Sequence, residues 1–311
     1  MDRQSETAQI LLAVHNGEAY LREQLDSILA QTDGNWRLTA SDDGSTDGSA
    51  AILDEYAARF PDKIARHIPE RRFGNARDHF FHLMARCDAD LVLFCDQDDA
   101  WYPDKLARTR AAMQEAEDRY GIDTPILVFS DQVPTDENLR PLAPSLMRYQ
   151  GQFFERFDYR AILMQNVVTG GAMAVNRALA RLGGRGAGDG RVIMHDWWLA
   201  AAAARFGQIA YIDEPLGVYR QHGGNAVGAK DVNSLGYAAD RIGKLRQVRA
   251  SILRKKAQAG AFQERYRDRL NADDAAFLEA FARPRSGLRF FLRYRGLIHG
   301  KQRRVGMFFL N

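Results

Sequence analysis

Three carboxylates fall within four residues at Asp96-Gln97-Asp98-Asp99, directly after the apolar run Leu91–Cys95. Carboxylates so close together repel one another unless a cation compensates their charge. Hard oxygen ligands suit magnesium or manganese, which bind through one or two carboxylates and the phosphates of a substrate. A solvated turn that caps the helix opened by Pro103 is the alternative, but a cap requires one Asp rather than three. The cluster therefore predicts a divalent metal site that holds a nucleotide diphosphate.

Two more polar clusters follow predicted strands, His15-Asn16-Gly17 and Asp42-Asp43-Gly44-Ser45. Ligands of open parallel sheets bind beyond the carboxyl ends of the strands, so the three clusters would meet along one edge. Turn chemistry explains the second cluster equally well, because Asp-Gly and Ser-Thr-Asp form ordinary turns and caps. Beside a metal cluster, an Asp in this position is also placed to accept hydrogen bonds from a base or a ribose.

A later acid, Asp196, lies between His195 and the pair Trp197 and Trp198. The tryptophans would form an apolar wall that raises the pKa of this carboxyl, and a carboxyl with a raised pKa can serve as a general base. The same residue also fits the N-cap of a helix over residues 197–206, and the two roles are compatible. Both tryptophans are candidates to stack on an acceptor, with one of them expected in the core.

Four other residues are candidates with an ordinary structural alternative. His222 lies just past an apolar strand, where it is either a ligand of the metal or diphosphate or a plain structural histidine. Arg220 would pair with a diphosphate or with a surface acid. Gly170 and Gly171 would allow close backbone approach to a sugar or an acceptor, although a tight turn also explains them.

Short apolar runs alternate with amphipathic helical segments up to about residue 132, which predicts an α/β fold with a mostly parallel sheet and helices on both faces. Beyond that point prolines interrupt the pattern, and from residue 231 onward it becomes helical and basic. The predicted strands cover residues 10–14, 36–40, 64–68, 91–95, 126–129 and 209–212, and the principal helices cover 21–29, 76–84, 103–120 and 196–206. Regular structure is also expected over 167–175.

Composition excludes several classes of protein. An apolar fraction of 46% and a charged fraction of 27% are those of a globular chain. The N-terminus lacks the order of a signal peptide, and the longest apolar run, 197–204, is too short for a membrane span. The only cysteines, Cys87 and Cys95, have no metal-ligand spacing and are expected to be reduced and buried. We therefore expect a cytoplasmic protein.

Charge divides unevenly along the chain. Residues 241–311 contain 18 basic and 5 acidic residues, a balance of +13 in a chain whose total is +3. This basic tail interleaves arginines with apolar residues at 288–295 and ends in an apolar segment at 307–310. Two interpretations remain open: a peripheral contact with an anionic membrane surface, or helices packed on the catalytic body. Nucleic acid is not an expected partner, because no recognition motif accompanies the charge.

The ordered motifs resemble the family 2 glycosyltransferases, and most closely the bacterial rhamnosyltransferase-like members. The resemblance covers about residues 8–225 and implies the GT-A fold, with residues 1–230 as the catalytic domain and 231–311 as a basic helical extension. It rests on Ala-Val-His-Asn-Gly, Ser-Asp-Asp-Gly-Ser-Thr-Asp, Asp-Gln-Asp-Asp, Thr169-Gly170-Gly171, His195-Asp196-Trp197-Trp198 and Tyr219-Arg220-Gln221-His222.

The resemblance also implies a role for each matching residue. Asp196 would be the catalytic base, and Asp43 would contact a pyrimidine base. The donor would be bound by Ala13, His15, Asn16, Asp43, Asp96, Asp99 and Arg220, the acceptor by Gly170, Gly171, Trp197 and Trp198, and magnesium or manganese by Asp98, Asp99 and His222. Ala13 replaces the Thr or Ser of many members, so a base contact there must come from the backbone.

The implied activity is inverting transfer of a sugar, rhamnose being one candidate, from a nucleotide-diphosphate donor. The acceptor would be a saccharide or lipid-linked saccharide in assembly of a bacterial surface polysaccharide. A nucleotidyltransferase is the first alternative, but it needs a Gly-rich loop with Lys or Arg where this chain has His15-Asn16-Gly17-Glu18. A non-catalytic nucleotide-sugar-binding module is the second, and the retained acids argue against it.

Overall fold

A computed structural model describes residues 7–152, 157–223, 245–283 and 287–297. Its strands are β1 (Ala8–Val14), β2 (Trp36–Asp42), β3 (Ile64–His67), β4 (Leu91–Cys95), β5 (Ala100–Trp101), β6 (Ile126–Thr135), β7 (Met173–Asn176) and β8 (Gln208–Arg220). Its helices are α1 (Leu21–Leu29), α2 (Ser49–Arg59), α3 (Ala76–Met84), α4 (Lys105–Tyr120), α5 (Leu146–Tyr149), α6 (Tyr159–Met164), α7 (Arg177–Gly183), α8 (His195–Phe206), α9 (Leu245–Arg265), α10 (Ala272–Ala282) and α11 (Gly287–Tyr294).

All eight strands form one sheet in the order β3-β2-β1-β4-β7-β6-β8-β5. The strands from β3 to β4 are parallel, which confirms the α/β alternation predicted for the first half. The other half is mixed, because β7 runs antiparallel to both of its neighbours and β5 runs antiparallel to β8. The sheet is thus a parallel half joined to a mixed half, with less parallel pairing than predicted.

Strand register brings the predicted polar clusters together. Val14 pairs with Asp42, and Leu12 pairs with Cys95, so β1, β2 and β4 end at the same edge of the sheet. The loops that follow these strands carry the three clusters. The expectation that the clusters share one edge is therefore confirmed.

Period-two alternation divides the core between the two faces of the sheet. Ile10 and Leu12 pack on one face, whereas Leu11 between them packs on the other. All five residues of β4 are buried, as expected for a strand covered on both sides. Cys95 is buried in this strand, Cys87 is partly buried, and both are free thiols.

Two predicted boundaries need correction. The regular structure expected over 167–175 is limited to a 3-10 turn, Gly170–Ala172, and the strand β7 that follows it. The predicted strand over 126–129 continues to Thr135, because β8 pairs along its whole length with a register shift on each side of Asp131. The irregular pairing lets β6 pass Pro134, a residue that ordinarily ends a ladder.

The described part of the basic tail packs on the catalytic body. Trp198 of α8 stacks on Tyr266 and lies edge-on to Phe262, and Phe277 of α10 belongs to the same hydrophobic cluster. Arg205 of α8 forms an ion pair with the buried Asp274 of α10. The predicted domain boundary at 230/231 and the apolar end at 307–310 lie outside the described residues. No helix in the part of the chain that the structure covers is both long and apolar enough to cross a membrane.

Candidate active site

The loops after β1, β2 and β4 are joined by side-chain hydrogen bonds. Gln97 accepts from the His15 N–H at 2.7 Å and donates to the His15 carbonyl at 3.0 Å. Asn16, whose φ of 52° lies in the left-handed region, accepts from the Thr46 N–H at 2.8 Å and donates its own N–H to the Ser45 hydroxyl. His15 and Asn16, predicted to bind the donor, therefore also fix the shape of the edge.

Asp98 and His222 are brought together although 124 residues separate them. The Nε2 atom of His222 lies 2.7 Å from Oδ2 of Asp98, and the imidazole packs on Tyr20 with 4.7 Å between ring centroids. Both side chains are partly buried. A carboxylate and an imidazole at this separation can bind a divalent cation from one side.

Asp99 is turned away from that pair into the protein. It is 1% exposed, accepts a hydrogen bond from the Gln132 side chain at 3.1 Å and lies 3.3 Å from the Arg220 N–H. Burial, with the charge of Asp98, raises its pKa to about 7. Among the described residues no three His, Cys, Asp or Glu converge on one metal position. Asp98, Asp99 and His222 stay predicted as metal ligands; the structure brings Asp98 and His222 together, whereas Asp99 is hydrogen-bonded to Gln132 within the protein.

That pair fits a substrate-borne magnesium or manganese ion. Such ions need one or two protein ligands when phosphate oxygens and water complete the shell. The surrounding carboxylates supply the negative charge that a cation would balance, since Asp96, Asp98 and Asp99 act on one another electrostatically. The donor set favours a hard divalent ion over a structural zinc, which takes four protein ligands.

The turn Gly170–Ala172 lies directly against the acids. A Cβ on Gly171 would stand 2.9 Å from Oδ2 of both Asp96 and Asp99, so a side chain at that position would displace these carboxylates. Burial, with the charges of Asp99, Asp98 and Asp196, raises the pKa of Asp96 well above its ordinary value. Gly171, which was expected to contact the acceptor, thus lies against Asp96 and Asp99.

Asp196 lies at the other end of the same turn. A Cβ on Gly170 would stand 3.8 Å from Cβ of Asp196 and 3.3 Å from the His195 ring. Burial raises the pKa of Asp196 to about 7, and its Oδ1 accepts from the Trp197 N–H at 2.6 Å. Helix α8 begins at His195 with Met194 as its N-cap, so the predicted N-cap role of Asp196 is wrong by two positions.

The two tryptophans differ. Trp198 is fully buried, donates to the Gly183 carbonyl and packs on Phe262 of α9, which confirms that one of the two tryptophans lies in the core. Trp197 is partly exposed and donates its indole N–H to the Ile162 carbonyl, while the Lys255 ammonium lies 5.7 Å from its ring centroid. Only Trp197 remains available as a wall beside Asp196.

Two predicted donor contacts have protein partners in the structure. The Asp43 carboxylate accepts from the Phe73 and Gly74 N–H groups at 2.5 and 2.7 Å. The buried Arg220 guanidinium donates to the Asp98 carbonyl at 2.8 Å and to the carboxylate of Glu23, and it lies over the Tyr20 ring. Arg220 therefore holds the acidic loop in place. Ala13, partly buried at the end of β1, has only its backbone to offer a base.

Three further residues reach this site without having been predicted. Gln132 binds Asp99, and burial, with the charges of Asp99, Asp96, Asp98 and Asp196, raises the pKa of Tyr219. Lys105 of α4 donates from Nζ to the Gly171 carbonyl at 2.6 Å. A charged residue in the apolar stripe beside Leu106 was the one sequence signal that pointed to Lys105.

Comparison with known proteins identifies the family. Residues 9–183 match the family model for glycosyl transferase family 2. The chain is 30% identical over 235 residues to the dTDP-rhamnosyl transferase RfbG of Shigella flexneri, covering 70% of this chain and 74% of RfbG. It is 27% identical over 140 residues to the putative teichuronic acid biosynthesis glycosyltransferase TuaG of Bacillus subtilis, covering 45% of this chain and 54% of TuaG.

Solved structures share the fold at low sequence identity. S. aureus TarS 1-349 in complex with UDP-GlcNAc superposes with a TM-score of 0.55 at 14% identity, covering 94% of this chain and 84% of TarS. The mannosyltransferase PcManGT of Pyrobaculum calidifontis, in complex with GDP-Man and Mn2+, gives 0.53 at 17% identity, covering 97% and 78%. The mixed sheet described above is the GT-A fold, and this chain belongs to glycosyl transferase family 2, on the rhamnosyltransferase-like side of the family.

Proposed function

We propose that this protein transfers a sugar from a nucleotide-diphosphate donor to a saccharide acceptor with inversion at the anomeric carbon. One observation carries the proposal: adjacent residues of the turn Gly170–Ala172 lie against the two groups, Gly170 against Asp196 and Gly171 against Asp96 and Asp99. An inverting displacement needs a base on the acceptor hydroxyl, opposite the departing diphosphate. Asp196 beside Gly170 would be the base, and Asp96 and Asp99 beside Gly171 would lie on the side of the diphosphate.

The donor diphosphate would lie at the Asp98 and His222 pair, with magnesium or manganese. The bound metal neutralises charge that develops on the diphosphate as it leaves. Asp98 and His222 would hold that ion, and Asp96 and Asp99 would face the ribose and the diphosphate. Asp43, already tied to Phe73 and Gly74, would order the loop beside the nucleotide base. The Mn2+ complex of PcManGT supports a divalent metal.

Asp196 would take the proton of the acceptor hydroxyl. Its pKa of about 7 suits this step, because a base works best when its pKa is near the operating pH. Trp197 would form the wall beside the acceptor, and Gly170 would let the sugar approach the backbone. The raised pKa arises from burial, so the carboxylate needs no separate partner to become an effective proton acceptor.

Rhamnose from a dTDP donor is the first candidate substrate, supported by the similarity to RfbG. The similarity to TuaG supports an acceptor in bacterial polysaccharide synthesis. A lipid-linked acceptor would place the enzyme at the inner face of the cell membrane, where Arg246, Arg249 and Arg254 on the exposed face of α9 would contact anionic lipid.

The test is a panel of nucleotide sugars, each with and without Mn2+, scored first by thermal stabilisation. A ligand at about 100 times its dissociation constant adds about 2.7 kcal/mol to the stability of the folded protein. We expect one dTDP-linked donor to stabilise the protein only with the metal and to release dTDP when a saccharide acceptor is added. Stabilisation without release under any acceptor would contradict the proposed activity and favour a binding module.

A further inference from the structure

Lys105 is a buried lysine whose ammonium group lies beneath the candidate active site. It is the first residue of α4, and it is 2% exposed. Its Nζ donates to the Gly171 carbonyl at 2.6 Å and lies 4.2 Å from the centroid of the Trp101 ring. Lysine is almost never fully buried unless it is paired. A buried lysine bonded to a backbone carbonyl therefore requires an explanation.

The carbonyl that Lys105 holds belongs to the turn at the centre of the site. A side chain at Gly171 would displace Asp96 and Asp99, whose Oδ2 atoms would stand 2.9 Å from its Cβ. The preceding residue, Gly170, lies beside Asp196 and the His195 ring. A shift of the Gly171 carbonyl would move both ends of the turn at once, and so would change the separation between the donor-side acids and Asp196.

Lys105 also places a positive charge beside two carboxylates. Asp96 and Asp99 both act electrostatically on its ammonium group, although neither forms an ion pair with it. Nζ binds the carbonyl of Gly171, whereas the acids lie against the position of its absent Cβ. The charge of Lys105 partly balances the acidic cluster without occupying the position of a metal ligand.

We propose that Lys105 is a positioning residue for glycosyl transfer, which fixes the Gly170–Ala172 turn through the Gly171 carbonyl and moderates the charge of Asp96 and Asp99. This inference rests on the proposed function of the same site. The two effects have separable consequences. Loss of the hydrogen bond misplaces the base relative to the donor, whereas loss of the positive charge strengthens the attraction of the acids for a divalent cation.

The test compares Lys105→Met with the wild-type chain. Methionine keeps the length and the apolar packing on Trp101 but has no charge and no N–H donor. We expect kcat to fall about 100-fold, the effect of a displacement of about 1 Å in an active site. We expect Mn2+, titrated by calorimetry in the presence of dTDP, to bind about 10-fold more tightly, because a nearby positive charge is removed. A residue with only a packing role would not tighten metal binding.

Arg110→Met is the matched control on the same helix. Arg110 is also a buried cation of α4, but it pairs with Asp33 and the Asn35 carbonyl at the opposite edge of the sheet. We expect this variant to lose stability while keeping wild-type kcat and wild-type Mn2+ binding. A folded Lys105→Met whose kcat stays within about threefold, or whose Mn2+ binding is unchanged or weaker, would overturn the proposal.

A second variant decides the matter should Lys105→Met fail to fold. Lys105→Arg keeps the charge but moves the donor, so kcat should fall while Mn2+ binding stays at the wild-type value, and wild-type kcat would overturn the positioning role. Wild-type protein that shows no turnover with any nucleotide sugar contradicts the proposed function instead. Normal wild-type turnover with unaffected Lys105 variants contradicts only this inference.

Discussion

Burial raises the pKa values of Asp96, Asp99 and Asp196, three carboxylates within one small volume. Ionisation of each carboxyl group there costs free energy, and a cation or proton donor that arrives stabilises the ionised form. Asp98 and His222 differ, because they are paired with one another and face the open side of the cluster. At the scale of residues the site is thus divided into acids that set the charge and a pair that can bind the ion.

The substitution Asp98→Ala tests this division. We expect loss of detectable transfer and loss of metal-dependent donor binding, with an unchanged melting temperature, because Asp98 has no role in the core. Its matched control is Asp136→Ala, an acid outside the cluster that only shapes the turn at residues 136–140. Donor binding that still responds to Mn2+ in Asp98→Ala would contradict the assignment of the metal position.

Sequence reasoning finds acids more readily than it finds their supports. The spacing of Asp96, Asp98 and Asp99 predicts their chemistry, because carboxylates so close together repel one another unless a cation compensates their charge. Lys105 cannot be found in the same way, since its partner is the carbonyl of Gly171, sixty-six residues away along the chain. Trp198 is a different case, because a motif does not distinguish which of two adjacent aromatic side chains faces the core.

Helix α8 is the element that carries Asp196, and His195 fixes its start. The His195 ring packs between Phe80 and Phe94, with centroid distances of 4.3 and 5.1 Å. Neither ring nitrogen has a hydrogen-bond partner among the described residues, and burial lowers the pKa of this histidine to about 3. The neutral ring therefore packs as an aromatic side chain against Gly170.

The variant His195→Phe should be more stable than the wild-type chain, and the difference should grow as pH falls. The wild-type pKa is below its unfolded value of about 6.5, so the unfolded state takes up the proton first, and stability is lost from about pH 6.5 down to about pH 3. Phenylalanine lacks this loss, which amounts to about 2 kcal/mol at pH 5.

Urea denaturation at pH 7.5 and pH 5 measures this difference, with His67→Phe for comparison at a partly buried histidine of β3 that is hydrogen-bonded to His82. A loss of stability in His195→Phe at both pH values would show that the imidazole nitrogens bind a group in the folded protein.

The pairing of β6 with β8 is a feature of the secondary structure that the sequence does not predict. Its register shifts near Asp131 depend on contacts between strands that are far apart in the chain.

At the scale of the whole molecule, the basic helices and the catalytic body share one hydrophobic core. Phe290 of α11 packs on Phe277 and Phe281, so a truncation before α11 would expose this cluster. The net charge of the tail follows directly from composition, but its packing does not, because the arginine-rich pattern fits a helix on either a membrane or a protein. The exposed arginines of α9 remain free to serve a membrane role.

Reversal of that charge tests the membrane proposal without disturbing the core. The triple variant Arg246→Glu, Arg249→Glu, Arg254→Glu should lose binding to phosphatidylserine vesicles, as each arginine contributes about 1 kcal/mol at such a surface. Wild-type binding should weaken with salt. Cosedimentation measures both, and Arg59→Glu with Arg119→Glu on the catalytic body is the control. Equal vesicle binding by the triple variant would contradict the proposal.

The role of Asp196 as the base is tested most directly by the variant Asp196→Asn, through its turnover at saturating acceptor and its donor binding. Asparagine keeps the size of the side chain and its acceptor for the Trp197 N–H but cannot take a proton. We predict that turnover falls about 100-fold to 10,000-fold while the donor dissociation constant stays unchanged. The wild-type enzyme should also lose activity as pH falls through about 7, where Asp196 becomes protonated. Normal turnover in Asp196→Asn would contradict the central claim that this carboxylate is the base.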